Sequence, residues 1–573
     1  MTMKRILAML LTLLMIVAVF AGCAGSGEVS EQSSTPAESS KTEESKADES
    51  SEPSGDTSDG PVYEGSTDPI TFKLLMTTWQ TWDEPMDADP LGRWLIGKTG
   101  VTIEPEIITG EASDKYALVL ATKDYPDFMQ WPGDDMASKF IAENAFVAYD
   151  EYLDKLPNVV SRYGDDIGAI YDIDTEHLYR ITQWAMGNSF DLQQGMNFRS
   201  DFMREYFGDD SLTTPKWITI SELEKAMTEW KESNPTNADG ATTYPVTMDG
   251  TGAFVLYFGQ CYGISQYYDD GTNVGYYYTH PQMVEELVTL NRWYNNGLLD
   301  PEFAINKTEN LKSKLSTGIS IGTLVHESVL SEVNQALEAE DPDIFMFSHP
   351  KVKADDCEAI YEKYSGVGSG GLVTMTTVSN LDRALEWINF MNDAEVMFYC
   401  CNGLPGEDGF WQYDENGMVE LNEENISAGT TDLWDRFRVS GGYKYIWMLS
   451  EGADTRFPAW TNAFYMPIHG EVGEQAKENL GRKHFWDPDV DKISNPALYQ
   501  GITPASDSDE GIIKAEVTDI WDYAVPEIIM AKDETAARER YQQMVDEMND
   551  AGYEQWLSAV AEKYFIKKGM LGL

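Results

Sequence analysis

From Ile70 onward the sequence alternates short apolar runs with amphipathic stretches, and this alternation narrows the fold more than any other feature. Ile70–Met76 reads as a strand, 77–90 as a loop rich in Trp, Asp and Pro, 91–98 as a helix closed by Gly100, and 101–108 as a second strand. A helix over 114–121 and a strand end at 126–131 follow. Strands separated by helices pair side by side in one direction, so the pattern predicts an α/β body with parallel sheet. In such sheets ligands bind beyond the carboxyl ends of the strands, which places Trp79, Trp82 and Trp131 near a common edge.

Further on, Ser221 and Glu224 match a capping box for a helix running to about Lys231, and turn residues at 234–240 end it. Helices are expected over 281–296, stopped by Gly297, and over 380–392, with Leu381, Leu385, Ile388 and Met391 on one face. Two more, parted near Gly552, are expected in 534–565, and no repeat of fixed period appears. Residues 67 to 573 exceed what one hydrophobic core normally serves, so two lobes are expected.

The amino terminus carries a different signal. Lys4 and Arg5 precede a run of 16 residues, Ile6 to Ala21, apolar except for Thr12, which is too short to span a bilayer comfortably and has the build of a secretory signal. Val19-Phe20-Ala21-Gly22-Cys23 resembles a bacterial lipobox, with Phe20 where Leu is usual, so Cys23 is the expected lipidation site. Residues 26–60 hold no aromatic and one β-branched apolar residue, Val29, and predict a disordered acidic tether. The reading is thus 1–22 signal, 23–66 lipid-anchored linker, and export to the outer face of the cytoplasmic membrane of a Gram-positive-type bacterium.

A formal charge of −56, with 97 acidic against 41 basic residues, opposes nucleic acid or an anionic membrane surface as partner. It equally suits a neutral ligand, a cationic one, or adaptation to salt. Besides Cys23 there are Cys261, Cys357, Cys400 and Cys401, too few for a disulfide framework. They lack histidines at metal-ligand spacing, so neither metal nor cofactor is expected.

Several ordered strings carry a family likeness. These are 98–104 (Lys-Thr-Gly-Val-Thr-Ile-Glu), 114–131 with Tyr125-Pro126-Asp127, Asn197-Phe198-Arg199-Ser200-Asp201-Phe202, 215–230, 293–301 (Trp-Tyr-Asn-Asn-Gly-Leu-Leu-Asp-Pro), 378–403 and 528–564. In this order they resemble the extracellular family 1 solute-binding lipoproteins of ATP-driven importers, associated with oligosaccharide uptake. The resemblance implies a two-lobed, type II periplasmic-binding-protein-like α/β fold with the ligand cleft between the lobes. Lobe 1 would be 67–190 plus 366–405, and lobe 2 191–365 plus 406–573. It implies a monomer that captures an oligosaccharide, hands it to ABC permease subunits and does no chemistry on it. Relatives often carry a calcium loop after the helix ending here near Lys231. In 234–245 most acidic positions are neutral, so no bound calcium is expected.

A sugar presents apolar C–H faces ringed by hydroxyls, so its site combines aromatic platforms with polar partners. The candidates are Trp79, Trp82, Asp83, Trp131, Trp184, Arg199, Trp411, Trp434, Trp460 and Tyr465, each of which also has an ordinary structural reading: packing for the aromatics, a pair with Asp201 for Arg199. Trp230, Trp293 and Trp387 lie at core-like helical spacing and are left out. Tyr267-Tyr268 and Tyr276-Tyr277-Tyr278 suit a sheet face better than a sugar shelf, and His326 reads as structural. The alternatives are a peptide, polyamine or other small solute in the same fold, or an exported carbohydrate-active enzyme. The last needs two carboxylates across the scissile bond, and no Gly-x-Ser-x-Gly or His-Glu-x-x-His motif appears.

Overall fold

The computed structural model describes residues 60–77, 85–182, 194–212, 216–250, 252–326, 329–349, 351–362, 370–406, 411–413, 419–421 and 493–573. Eight strands build its two larger sheets: β1 (Ile70–Met76), β2 (Val101–Ile107), β3 (Phe128–Gln130), β4 (Gln194–Arg199), β5 (Val246–Thr247), β6 (Gly322–His326), β7 (Met346–His349) and β8 (Leu372–Thr374).

The first sheet runs β8-β3-β1-β2. β1 is parallel to β2, with Ile70 opposite Val101 and Met76 opposite Ile107, and parallel to β3 on its other side. β8 returns from far along the chain and closes the edge antiparallel to β3. Alternation along β1 sorts its side chains to two faces. Phe72, Leu74 and Met76 join Trp387, Ile388 and Met391 of the helix Leu381–Met391, whereas Leu75 joins Val119 of Ala112–Thr122 and Phe140 of Asp134–Ala142. Because both faces are covered toward the carboxyl end of β1, Leu74, Leu75 and Met76 are buried in succession, whereas Thr71 and Lys73 nearer its start are exposed. Arg383 fastens the late helix to the start of the body by donating to the carbonyls of Thr99 at 2.8 Å and Asp68 at 3.1 Å.

The second sheet runs β7-β4-β6-β5, with β4 antiparallel to both neighbours and β5 parallel to β6. Its core gathers Phe198, Val246, Trp230, Trp293 and Leu299, and extends into the helices Asp509–Ile529, Glu534–Asp550 and Tyr553–Met570. Trp230, Trp293 and Trp387 are all buried, as their spacing predicted. Tyr267–Asp269 and Val274–Tyr276 form a hairpin in which Tyr267 and Tyr276 are buried and Tyr268 is half-buried. Tyr278 stacks on Trp521 with centroids 4.2 Å apart, and Tyr276 meets Trp556 edge-on at 5.1 Å.

The expected helix over 221–231 runs from Ile220 to Ser233, and its capping box is Thr219 with Glu222, two residues before the Ser221–Glu224 pair expected. Both pairs satisfy the same spacing. Parallel pairing of Ile218 and Thr219 with Val352 and Lys353 keeps those two residues extended, so the helix starts directly after them. Glu224 is thereby released to bind Arg292 at 2.8 Å.

The string 293–301 also acquires a physical reason. The helix Met283–Asn295 ends, Gly297 turns the chain with φ of 67°, Leu298 and Leu299 enter the core, and Asp300 is buried. Its carboxylate accepts from Lys314 at 2.7 Å, Asn306 at 2.8 Å and Thr247 at 2.8 Å. The turn at 234–245 closes on itself: the Asn237 side chain accepts from the Ala241 N–H at 2.8 Å and donates to the Thr317 carbonyl at 2.9 Å. Cys261, Cys357 and Cys400 are free thiols. Among the described residues no helix is long and apolar enough to cross a membrane.

Candidate functional site

A cavity of about 120 Å³ lies where the residues following β3 face segments that run between the two main cores. One wall carries Trp131, Asp134, Ser138, Tyr179 and Arg180. The other carries Gln500, Thr503 and Ala505, with Lys563 of the last helix at the rim and residues 169–174 between them.

β8 is what brings Trp131 and Arg180 together. The Trp131 N–H donates to the Gly371 carbonyl at 2.7 Å, and on the opposite side Ile181 exchanges backbone hydrogen bonds with Leu372 at 2.8 and 3.0 Å. Residues 49 positions apart in sequence are thus set on either side of one late strand. Gly371 has φ of 130°, and a Cβ there would stand 2.4 Å from the Ile181 carbonyl oxygen, so no other residue fits without displacing this junction.

Beyond the carboxyl end of β3, Trp131 donates its indole N–H to Asp134 at 2.9 Å. Asp134 opens the helix Asp134–Ala142, where a carboxylate is favoured by the unpaired N–H groups and the helix dipole. The Arg180 guanidinium lies over the Trp131 ring, 4.7 Å from its centroid. Arg180 is 8% exposed. Burial pulls its affinity for the proton below the ordinary value, against the restoring pull of Asp134. Its nearest acceptors are Gln500 Oε1 at 3.4 Å and Asp134 at 3.9 Å.

Below the cavity, the last helix crosses the seam between the cores. Tyr553, Trp556, Val560 and Tyr564 pack in the second core, whereas Leu571 packs against the first. Between them Lys567, fully buried, donates to the carbonyls of Ala169 at 2.9 Å and Tyr171 at 2.8 Å. Burial lowers its pKa to about 8. Gly168 allows the close approach, since a Cβ there would be 2.2 Å from the Met570 carbonyl oxygen. The segment 497–502 bridges in the same way, with Ala497 in the first core and Ile502 in the second.

Of the residues proposed from sequence, Trp131 lines this cavity, and one of its faces is occupied by Arg180. Arg199, at the end of β4, is engaged by Asp201 through a two-pronged ion pair at 2.8 and 2.5 Å, which is its structural reading. Trp411 sits in the short hairpin Trp411–Tyr413 with Val419–Leu421, opposite Leu421. Trp79, Trp82, Asp83, Trp184, Trp434, Trp460, Tyr465 and Cys23 lie outside the described residues. Arg180, Gln500, Thr503 and Lys563 were missed, because their convergence depends on β8 and on two segments that cross between cores. Among the described residues no group of three or more His, Cys, Asp or Glu is placed to hold a metal ion.

This architecture is the two-lobed α/β fold seen in extracellular solute-binding proteins. No protein-family model and no curated protein matches the chain in sequence. Among solved structures it is similar to an extracellular solute-binding protein from Bifidobacterium longum subsp. infantis, with 15% identity over 87% of this chain and 98% of that one and a TM-score of 0.65. It is also similar to the S. pneumoniae ABC-transporter substrate binding protein FusA in complex with kestose, at 15% identity over 86% and 99% of the two chains, TM-score 0.59. An HMO binding, ABC-transporter associated solute binding protein from Bifidobacterium longum infantis is 15% identical over 87% and 99%, TM-score 0.58. At this identity the likeness is one of fold.

Proposed function

We propose that this chain is the ligand-capturing component of an ATP-driven importer and that its ligand is a carbohydrate, held between the lobes and passed on unchanged to permease subunits. The observation that carries the reading is the match of 87% of the chain to a whole solute-binding protein, in an architecture where a polar, aromatic-sided cavity opens at the seam between two cores. Neighbours of the same fold are described with kestose or as HMO binding. A ligand that touches both walls favours the closed arrangement by its extra contacts there.

On this reading lobe 1 is 67–190 plus 366–405 and lobe 2 the remainder of the body, joined where 497–502 and the last helix cross. The protein is a monomer exported by its N-terminal signal and held at the outer face of the membrane through lipidated Cys23, with the acidic segment as its tether. Trp79 and Trp82 are the leading further candidates for sugar platforms beside Trp131.

The test is a thermal-shift screen of the purified full chain against mono- and oligosaccharides, peptides and polyamines, since a ligand that binds only the folded state raises its melting temperature. A shift with oligosaccharides, without product formation on long incubation, is the expected result. Shifts confined to peptides or polyamines would overturn the carbohydrate reading, and turnover would overturn the transport reading.

A further inference from the structure

We infer that the cavity beside Trp131 receives a carboxylate, so that the ligand is an acidic sugar whose carboxylate is held by Arg180. The inference rests on the carbohydrate-binding reading and names the class of sugar.

The physical basis is a buried cation with spare donors. The Arg180 guanidinium lies over the Trp131 ring, 4.7 Å from its centroid, an arrangement that arginine adopts on aromatic faces. Five N–H donors are available on a guanidinium. One is used on Gln500 at the long distance of 3.4 Å, and the nearest carboxylate, Asp134, stands at 3.9 Å, beyond hydrogen-bond reach. A buried cation so sparsely satisfied is costly unless an acceptor arrives. An edge-on guanidinium matches the two oxygens of a carboxylate, forming two parallel charge-assisted hydrogen bonds.

Asp134 and Asp172 act on the Arg180 charge from a distance, and none of the acidic residues around the cavity accepts a hydrogen bond from it. Asp134 accepts from the Trp131 indole, Asp135 from Ser506, Asp172 from Thr175 at 2.7 Å, and Asp174 from Lys563 at 3.1 Å. Lys567 places a second buried cation behind the cavity, and its partners there are neutral carbonyls. The lining also holds the carboxylates of Asp134, Asp135, Asp172 and Asp174, so the attraction for an acid is local to the Arg180 guanidinium.

The experiment is calorimetric titration of the full chain with di- and trisaccharides of galacturonate, glucuronate and mannuronate, each beside its carboxyl-reduced neutral counterpart. At least one acidic member should bind roughly tenfold or more tightly than its neutral partner, and added salt should narrow the gap. Arg180→Gln should abolish the preference. Because that variant alters a buried charge, Gln500→Glu is the companion: it places a carboxylate of the chain itself on the guanidinium, so a folded Gln500→Glu protein, verified by its melting curve, should lose most of the acid-over-neutral ratio. Equal or tighter binding of the neutral member in every pair overturns the inference and leaves the carbohydrate reading intact. A Gln500→Glu protein that keeps the full ratio overturns it as well. Binding of neither member of any pair, with a response only to peptides or polyamines in the thermal screen, overturns both readings.

Discussion

Lys567→Met isolates the energetics of the helix that crosses between the lobes. In the folded protein this ammonium is fully buried, donates only to carbonyls of residues 168–171, and titrates at about 8 instead of 10.5 because burial disfavours its charge. Below pH 8 folded and unfolded states both hold the proton, and this residue adds no pH dependence. As pH rises from there toward 10.5 the unfolded chain retains a proton that the folded chain has released, so stability rises with pH. One pH unit corresponds to about 1.4 kcal/mol, so the full span is about 3 kcal/mol, of which about 2 is gained by pH ~9.5. The assay is urea unfolding of wild type and Lys567→Met at several pH values between about 7 and 9.5. Subtraction removes titrations common to both proteins, including those of buried tyrosines such as Tyr149 and Tyr262. The wild type should gain about 2 kcal/mol on the variant across that interval. A difference that stays constant with pH would refute the argument that a buried, carboxylate-free ammonium joins the lobes.

Glu286 is fully buried with both carboxylate oxygens unpartnered, and burial raises its pKa well above the ordinary value. It therefore keeps its proton to higher pH in the folded state than in the unfolded one, stability falls as pH rises above the unfolded value of about 4.3, and Glu286→Met should add about 1–3 kcal/mol near neutral pH in chemical denaturation, the gain shrinking toward pH ~4. Asp300 is the opposite case. Burial would raise its pKa, but hydrogen bonds from Lys314, Asn306 and Thr247 and from the Glu302 N–H outweigh that and lower it. Its stabilisation is present above the unfolded value of about 3.9 and is lost as pH falls through the folded one, so Asp300→Ala should cost about 3–5 kcal/mol at neutral pH, measured by urea midpoint, and less in acid. Cys23→Ala should move the protein from the membrane fraction to the medium and end its labelling by a radioactive fatty acid; retention at the membrane with unchanged labelling would remove Cys23 as the anchor.

Most element positions in the first sheet could be read from pattern alone. Ile70–Met76 was expected with these bounds, and the helix before β2 ends at Gly100, whose φ of 69° is the left-handed conformation that glycine adopts without cost. The capping box was misplaced by two residues, because two boxes of equal spacing overlap and only pairing with Val352–Lys353 chooses between them. That Trp131 lines the cavity was legible because it stands directly beyond a strand's carboxyl end, where the rule for α/β sheets places a cleft. Arg180 was not legible, because nothing local separates it from any other charged residue next to an apolar run.

What the sequence determined by itself is periodic and local: where strands and helices run and which tryptophans are core. Side-chain alternation and capping chemistry act over a few residues, so they are written in order along the chain. What only the tertiary structure decided is convergence. Gly371 and Leu372 bridge Trp131 to Ile181, and 497–502 and Lys567 close the other side, across separations of several hundred residues. Such contacts form because the strand and helices carrying them have apolar faces to bury, and the polar residues that end up in the cavity are positioned by that burial.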